Sequence, residues 1–400
     1  MELSKGKKIA LMFALIMATF VPMADLFIIP AAGNMYEYFA GESLSVLNFI
    51  LSGPALIALF VALIAGKLMG TVRKKLLLEI AIVLFGVGGI LGIAVENVYY
   101  MAAMRCLVGA ACGIVAPCCM AVLNDIFTDE KQLGTMIGIW NAGMSAVGAV
   151  VGVVAGVVAA MRWQMVFQLF WVAVPMLLIV IFCMPKETPY EAVRREGMSD
   201  PSHVDAVVKE KMPWGALVLD MIGYFVGMLI VCIMYYQIAL YLVELNIGTA
   251  VLAGTLSTAL TIATFVACMS FGVLFAKPIM RKFFPFLMFI VLAVAYFVFA
   301  FIPTVAGASV GMVLIGLING FMMSYYQSHV AIIVPESQAP FALSITSSVL
   351  GLGMFLTTYV FTLLRGVGSG TVTFVCLVLA VASVIMAVPA LLRHRKDPTA

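Results

Sequence analysis

Three ionisable residues lie where charge is expensive. Asp25 interrupts the apolar run Pro22-Met23-Ala24-Asp25-Leu26-Phe27, Arg105 stands a short way into another such run, and Asp220 stands early in a third. An ionised aspartate near the centre of a bilayer costs about 2.5–3.5 kcal/mol on insertion scales, so each of these groups must face water, protein or a proton. Burial disfavours a charged carboxylate and a nearby cation favours it. A carboxylate held between those effects can load and release a proton as its surroundings change, which makes Asp25 a candidate proton-coupling group; the plainer reading is a polar residue that only hydrates a pathway. The guanidinium of Arg105 stays charged, so it could bias a neighbouring carboxylate or bind an anion without titrating, or simply anchor its segment near the membrane face. Asp220 is either a second proton carrier or a wet carboxylate close to an interface.

Contacts to a solute need uncharged polar and aromatic groups in the middle of apolar segments. Asn141, Tyr235, Tyr236, Gln237, Asn319, Tyr325, Tyr326 and Gln327 are such groups, and with 28 methionines in the chain they suit amphipathic or lipophilic organic molecules. Each could equally serve as a hydrogen bond between helices. His329 reads as polar filling at a helix end.

Other chemistries find no support. The run Gly86-Val87-Gly88-Gly89-Ile90-Leu91-Gly92 lies inside an apolar segment with no strand before it, and no phosphate-binding loop occurs, which argues against nucleotide hydrolysis as the energy source. Ser328-His329 stands without G-x-S-x-G or HExxH, so no enzyme activity is expected. The eight cysteines lie in apolar segments without CxxC spacing and read as small packing residues, with no metal and no cofactor implied. A net charge of +3 is too small to suggest nucleic acid.

The elements that must position these residues follow from composition. Hydrophobic residues make up 64% of the 400 and charged residues 10%, far from the roughly one quarter charged of a soluble domain. With about 20 helical residues per crossing, the polar breaks divide the chain into twelve spans, near 9–31, 44–66, 76–95, 98–123, 133–160, 164–184, 214–243, 249–275, 284–303, 306–334, 341–364 and 371–392. The predicted fold is an all-α membrane protein of twelve transmembrane helices in two pseudo-symmetric six-helix bundles. Residues 1–185 form the N-terminal bundle, 186–213 a hydrophilic linker and 214–400 the C-terminal bundle.

All of the 22 basic residues except Arg105, Arg162 and Arg365 fall in the tails, the linker and the loops on one side. That side is therefore expected to be cytoplasmic, with both termini there and the chain a multi-pass monomer of the cytoplasmic membrane. An internal repeat supports the count. Gly66-Lys67-Leu68 and the following Arg73-Lys74-Lys75 correspond to Gly272-Val273-Leu274 and Arg281-Lys282. Arg105-x-x-x-Gly109-x-x-x-Gly113 corresponds to Met312-x-x-x-Gly316-x-x-x-Gly320. Two repeats in the same orientation build paired bundles around a central site.

These residues resemble the major facilitator superfamily over nearly the whole chain. The loop after the second span resembles G-x-L-x-D-R-x-G-R-K/R through Gly66, Leu68 and Arg73-Lys74-Lys75, with Gly70 where the family has aspartate. Arg105 and Gly109 match the fourth-span pattern, and Arg162-Trp163-Gln164-Met165-Val166-Phe167 looks like the turn between spans five and six. Gly148, Gly152 and Gly156 resemble the glycine-rich fifth span of the antiporters, with Ala149 in place of the proline. The resemblance implies rocking of two bundles. Asp125 would latch one state against Arg73 or Lys74, more weakly than usual because of Gly70. Gly148 and Gly152 would let the fifth span approach the small residues Gly254, Ser257, Thr258 and Thr261 of the eighth. It is most like the drug or metabolite:proton antiporter branch, which implies proton-coupled efflux of a small molecule; the alternative is an uptake symporter or facilitator for an organic acid or other nutrient, with Arg105 on the anion.

Overall fold

A computed structural model describes residues 5–31, 34–35, 38–39, 41–42, 44–127, 129–192, 212–248, 250–335, 337–367 and 370–393. Most of the predicted linker, including Arg194, Arg195, Lys209 and Lys211, lies outside them. The described residues form helices joined by turns and short loops: α1 Lys5–Met17, α2 Asp25–Ile28, α3 Leu44–Leu68, α4 Lys74–Ile90, α5 Val98–Ile126, α6 Glu130–Met161, α7 Ala173–Cys183, α8 Trp214–Glu244, α9 Ala250–Phe275, α10 Pro278–Phe301, α11 Val305–Ile333, α12 Ala339–Val367 and α13 Val372–Arg393. The 3₁₀ segment Trp163–Val172 leads into α7. Among the described residues, ten helices are long and apolar enough to cross a membrane unaided. α1 and α2, a pair bent by 49°, count as an eleventh when taken as one span, and α3 carries a shorter apolar stretch, Gly53–Leu68, an arrangement consistent with the twelve predicted helices.

The bend in the first span sits beside the residue with the most to gain from it. Between Phe20 and Asp25 the backbone makes turn bonds, Val21 N–H to Ala18 O (3.1 Å) and Ala24 N–H to Val21 O (3.0 Å), so Asp25 opens the short α2. A broken helix is tolerated at membrane depth where its freed backbone groups meet protein or water rather than lipid. The Val21 carbonyl, which accepts the Ala24 N–H, also accepts from Cys112 Sγ at 3.1 Å.

Glycine sets the closest helix approaches. A methyl group at Gly109 or Gly113 of α5 would come within 2.5 Å of the Pro54 and Ala58 carbonyl oxygens of α3. Gly316 and Gly320 of α11 meet the Leu260 and Thr264 carbonyls of α9 in the same way. The repeat read in the sequence is thus the same packing device used twice: in lipid, where apolar association gains little, close backbone approach replaces it.

Two compact units emerge. One comprises Met1–Thr128, Ala146–Leu217 and Val330–Gly351, and the other Asp129–Ser145, Val218–His329 and Leu352–Ala400. Each therefore takes a segment from the opposite half of the sequence. The first holds an aromatic core in which Phe27 and Phe85 both pack on Phe170 with ring centroids 4.9 Å apart. In the second, Phe271 stacks on Phe275 and Phe284 on Tyr325. Large apolar side chains such as Val153 and Phe182 point outward, as lipid-facing residues do.

Candidate functional site

The first unit brings Asp25 and Arg105 together. Arg105 Nη2 donates to Asp25 Oδ1 at 2.7 Å and Arg105 Nε donates to the Ile50 carbonyl at 2.8 Å. The guanidinium is 1% exposed, whereas the Asp25 side chain is 39% exposed. Arg105 is thus held by α2 and α3 through two of its nitrogens, its Nη1 is buried without a hydrogen-bond partner, and the charged group that meets solvent is the carboxylate. Gly148 of α6 makes room for the turn carrying it: a methyl there would lie 3.0 Å from Met23 Sδ and 3.3 Å from a Leu26 methyl.

A second ion pair lies in the same unit. Lys74 Nζ pairs with Asp125 Oδ2, both side chains being almost wholly buried. The same oxygen accepts from Thr188 Oγ1 at 2.5 Å. Glu191 completes the arrangement. Its Oε1 accepts from the Lys74 backbone N–H and its Oε2 from the Thr188 backbone N–H, each at 2.8 Å. Arg73, which precedes α4, has no side-chain bond to the helix start, so Glu191 caps α4 from a distance and closes a Thr-x-x-Glu capping box on its own turn. Lys75 Nζ donates to the carbonyls of Ile181 (2.6 Å) and Met184 (2.9 Å), and exposed Arg73 pairs with Glu187 at 2.8 Å. All three basic residues of this cluster are occupied by α5, by the end of α7 and by the segment that follows it. Gly70 sits in the turn between α3 and α4, its N–H bonded to the Lys67 carbonyl. Gly66 is buried against Ser344 and Phe341 of α12, whose Ser348 hydroxyl donates to the Leu59 carbonyl of α3 at 3.0 Å.

In the second unit Asp220 is buried, and its Oδ2 lies 2.8 Å from His329 Nδ1; the wet interfacial reading of Asp220 and the filler reading of His329 give way to a buried pair linking α8 and α11. His329 also stacks on Tyr325. Asn141 of α6 is fully buried and donates to Gln327 Oε1 (2.8 Å) and Ser324 Oγ (3.3 Å) of α11. Tyr325, Tyr326 and Gln327 are buried, and Asn319 Nδ2 contacts Thr264 Oγ1 at 3.4 Å. Of the predicted solute contacts, Tyr235 and Tyr236 are exposed, packed edge to face, and Gln237 is half-buried. Within the second unit the fifth span approaches the eighth closely at Gly134, Gly138 and Gly272, against Phe275, the Cys268 carbonyl and Thr135 respectively. Among the described residues, nothing lies within 4 Å of a methyl at Gly152 or Gly156.

Sequence reasoning missed Glu191, Thr188 and the role of His329. The Thr188-x-x-Glu191 capping box was the one legible signal among them.

A family model described as Major Facilitator Superfamily matches residues 10–358. No curated protein sequence matches the chain. Among solved structures it is similar to the human organic anion transporter MFSD10 (TM-score 0.76, 11% identity, covering 96% of this chain and 100% of that one). It is also similar to the proton:xylose symporter XylE (0.73, 13%, 96% and 95%) and to the E. coli fucose:proton symporter FucP (0.70, 14%, 98% and 98%).

Proposed function

Because the chain belongs to the major facilitator superfamily, we propose that it moves its solute by alternating access with a proton carried at Asp25, and that the net movement is efflux. Secondary transport of a small molecule across a membrane is the family's activity, and its members are transporters rather than enzymes. The observation that carries the proton reading is the pairing of a buried arginine, bonded through Nε and Nη2, with a half-exposed carboxylate at a helix break. Arg105 compensates the charge of Asp25 while one face of the carboxylate stays open to water. A proton or a donor group of the solute can reach that face, and either changes how strongly Asp25 holds Arg105.

The same geometry leaves an organic acid one nitrogen of Arg105, the buried Nη1, since Nε and Nη2 are held by Ile50 and Asp25. The solute class it supports is neutral or cationic, amphipathic, and met by aromatic groups such as Tyr235 and Tyr236. Asp220, Asn141, Asn319, Tyr325, Tyr326 and Gln327 belong to this proposal as groups exposed when the helices rearrange. The basic ends of the helices face the cytoplasm in this reading, and the protein acts as a monomer in the cytoplasmic membrane.

Proteoliposomes with an imposed pH gradient test the proposal. Ethidium serves as the lipophilic cationic probe and lactate as the small organic acid. Efflux coupling predicts ethidium movement against the proton flow. Lactate movement with the proton flow would instead establish uptake symport.

A further inference from the structure

The packed seam of α6 against α9 and α11 is built largely from glycine and apolar surface, interrupted by a small cluster of polar side chains. Gly134, Gly138 and Gly272 let the backbones close on Phe275, Cys268 and Thr135. Into this seam Asn141 places a side chain with no exposure. Its amide nitrogen clasps Gln327 and Ser324 on α11, while its Oδ1 is buried without a hydrogen-bond partner, as is the hydroxyl of Ser328 one turn beyond Ser324. A buried acceptor left bare opposes the state that buries it, to an extent comparable with one hydrogen bond between helices. Water would satisfy the carbonyl as soon as the seam parted.

We propose that Asn141 and Gln327 are the positioning residues of a gate between α6 and α11, in which the clasp holds the packed state and the bare Asn141 carbonyl favours the parted one. The inference builds on the alternating-access reading and adds to it the contact that must break. Its energetic signature is asymmetric: removing one clasp partner strands the other, whereas replacing both by apolar groups of similar shape removes the clasp and the bare carbonyl together.

The native cysteines report the gate. Cys268 lies in the seam and Cys376 lies in α13, away from it, and both are buried. Alkylation by N-ethylmaleimide, followed at each cysteine by mass spectrometry on the full-length protein, needs neither solute nor gradient. Gln327→Met and Asn141→Ala should each speed modification of Cys268 by about fivefold and leave Cys376 unchanged. The double variant Asn141→Leu/Gln327→Met should return Cys268 to the wild-type rate or below. A single variant that speeds both cysteines has loosened the whole bundle, and the other single variant is then decisive. The gate is overturned if neither single variant raises Cys268 alone, or if the double variant reacts as fast as the singles. Loss of proton coupling in other tests would leave these rates untouched, so the two readings fail separately.

Discussion

Two ion pairs of the same compact unit, Lys74–Asp125 and Arg105–Asp25, use the same pairing of charges for opposite ends. In the first, both partners are buried, Thr188 fills a further acceptor site on the carboxylate, and Glu191 ties the local backbone into the same cluster. Every visible bond leads to protein. In the second, only the cation is sealed in, and the carboxylate is 39% exposed beside a bend of 49°. A buried pair in low dielectric holds as long as both members stay. A pair with one open face can exchange its partner for a proton or a solute. What separates a structural brace from a chemical site here is the solvent exposure of one carboxylate.

The sharpest way to break this comparison is to strand a member of the brace. Lys74→Met leaves Asp125 buried without its cation and should cost about 3–5 kcal/mol, read as a fall in thermal stability of the detergent-solubilised protein. The double variant Lys74→Met/Asp125→Leu should recover most of that loss, whereas a mere surface latch would show neither effect. Arg105→Met should act on transport more than on fold. The freed Asp25 can meet water, so melting should change little while gradient-driven ethidium movement falls by about ten- to a hundredfold, equivalent to about 1.4–2.7 kcal/mol. Glu191→Gln weakens the distant cap on α4 and should lower stability by about 0.5–2 kcal/mol, visible as earlier exchange of amide hydrogens at the start of α4. Smallest is Arg73→Ala, an exposed pair with Glu187, expected to shift stability by no more than about 1 kcal/mol and to vanish into that scatter at high salt.

Much of this contrast could be read before any coordinates. Apolar length and the one-sided placement of lysine and arginine define the spans, and the glycines at 109, 113, 316 and 320 announce the repeat that becomes two equivalent helix contacts. Asp25 and Arg105 were legible as partners because charge in an apolar run demands compensation. Neighbour identity was not legible. Spacing of four places Gly148, Gly152 and Gly156 on one face of α6 without saying what that face meets: Gly148 receives α2, and the approach to α9 is made by Gly134 and Gly138. Asp220 and His329 lie on different helices, far apart in sequence, and no local period links them. The burial of Lys74 depends on a turn that follows α7, which the basic cluster alone does not reveal.

The most direct measurement is the infrared pH-difference spectrum of the purified protein in the carboxyl stretching region, compared between the wild type and Asp25→Asn. The account predicts a reversibly titrating carboxyl band in the wild type that is missing from Asp25→Asn and displaced in Arg105→Met, while the Lys74–Asp125 brace contributes the same signal to all three. Spectra of the wild type and Asp25→Asn that coincide across the whole pH range would contradict it.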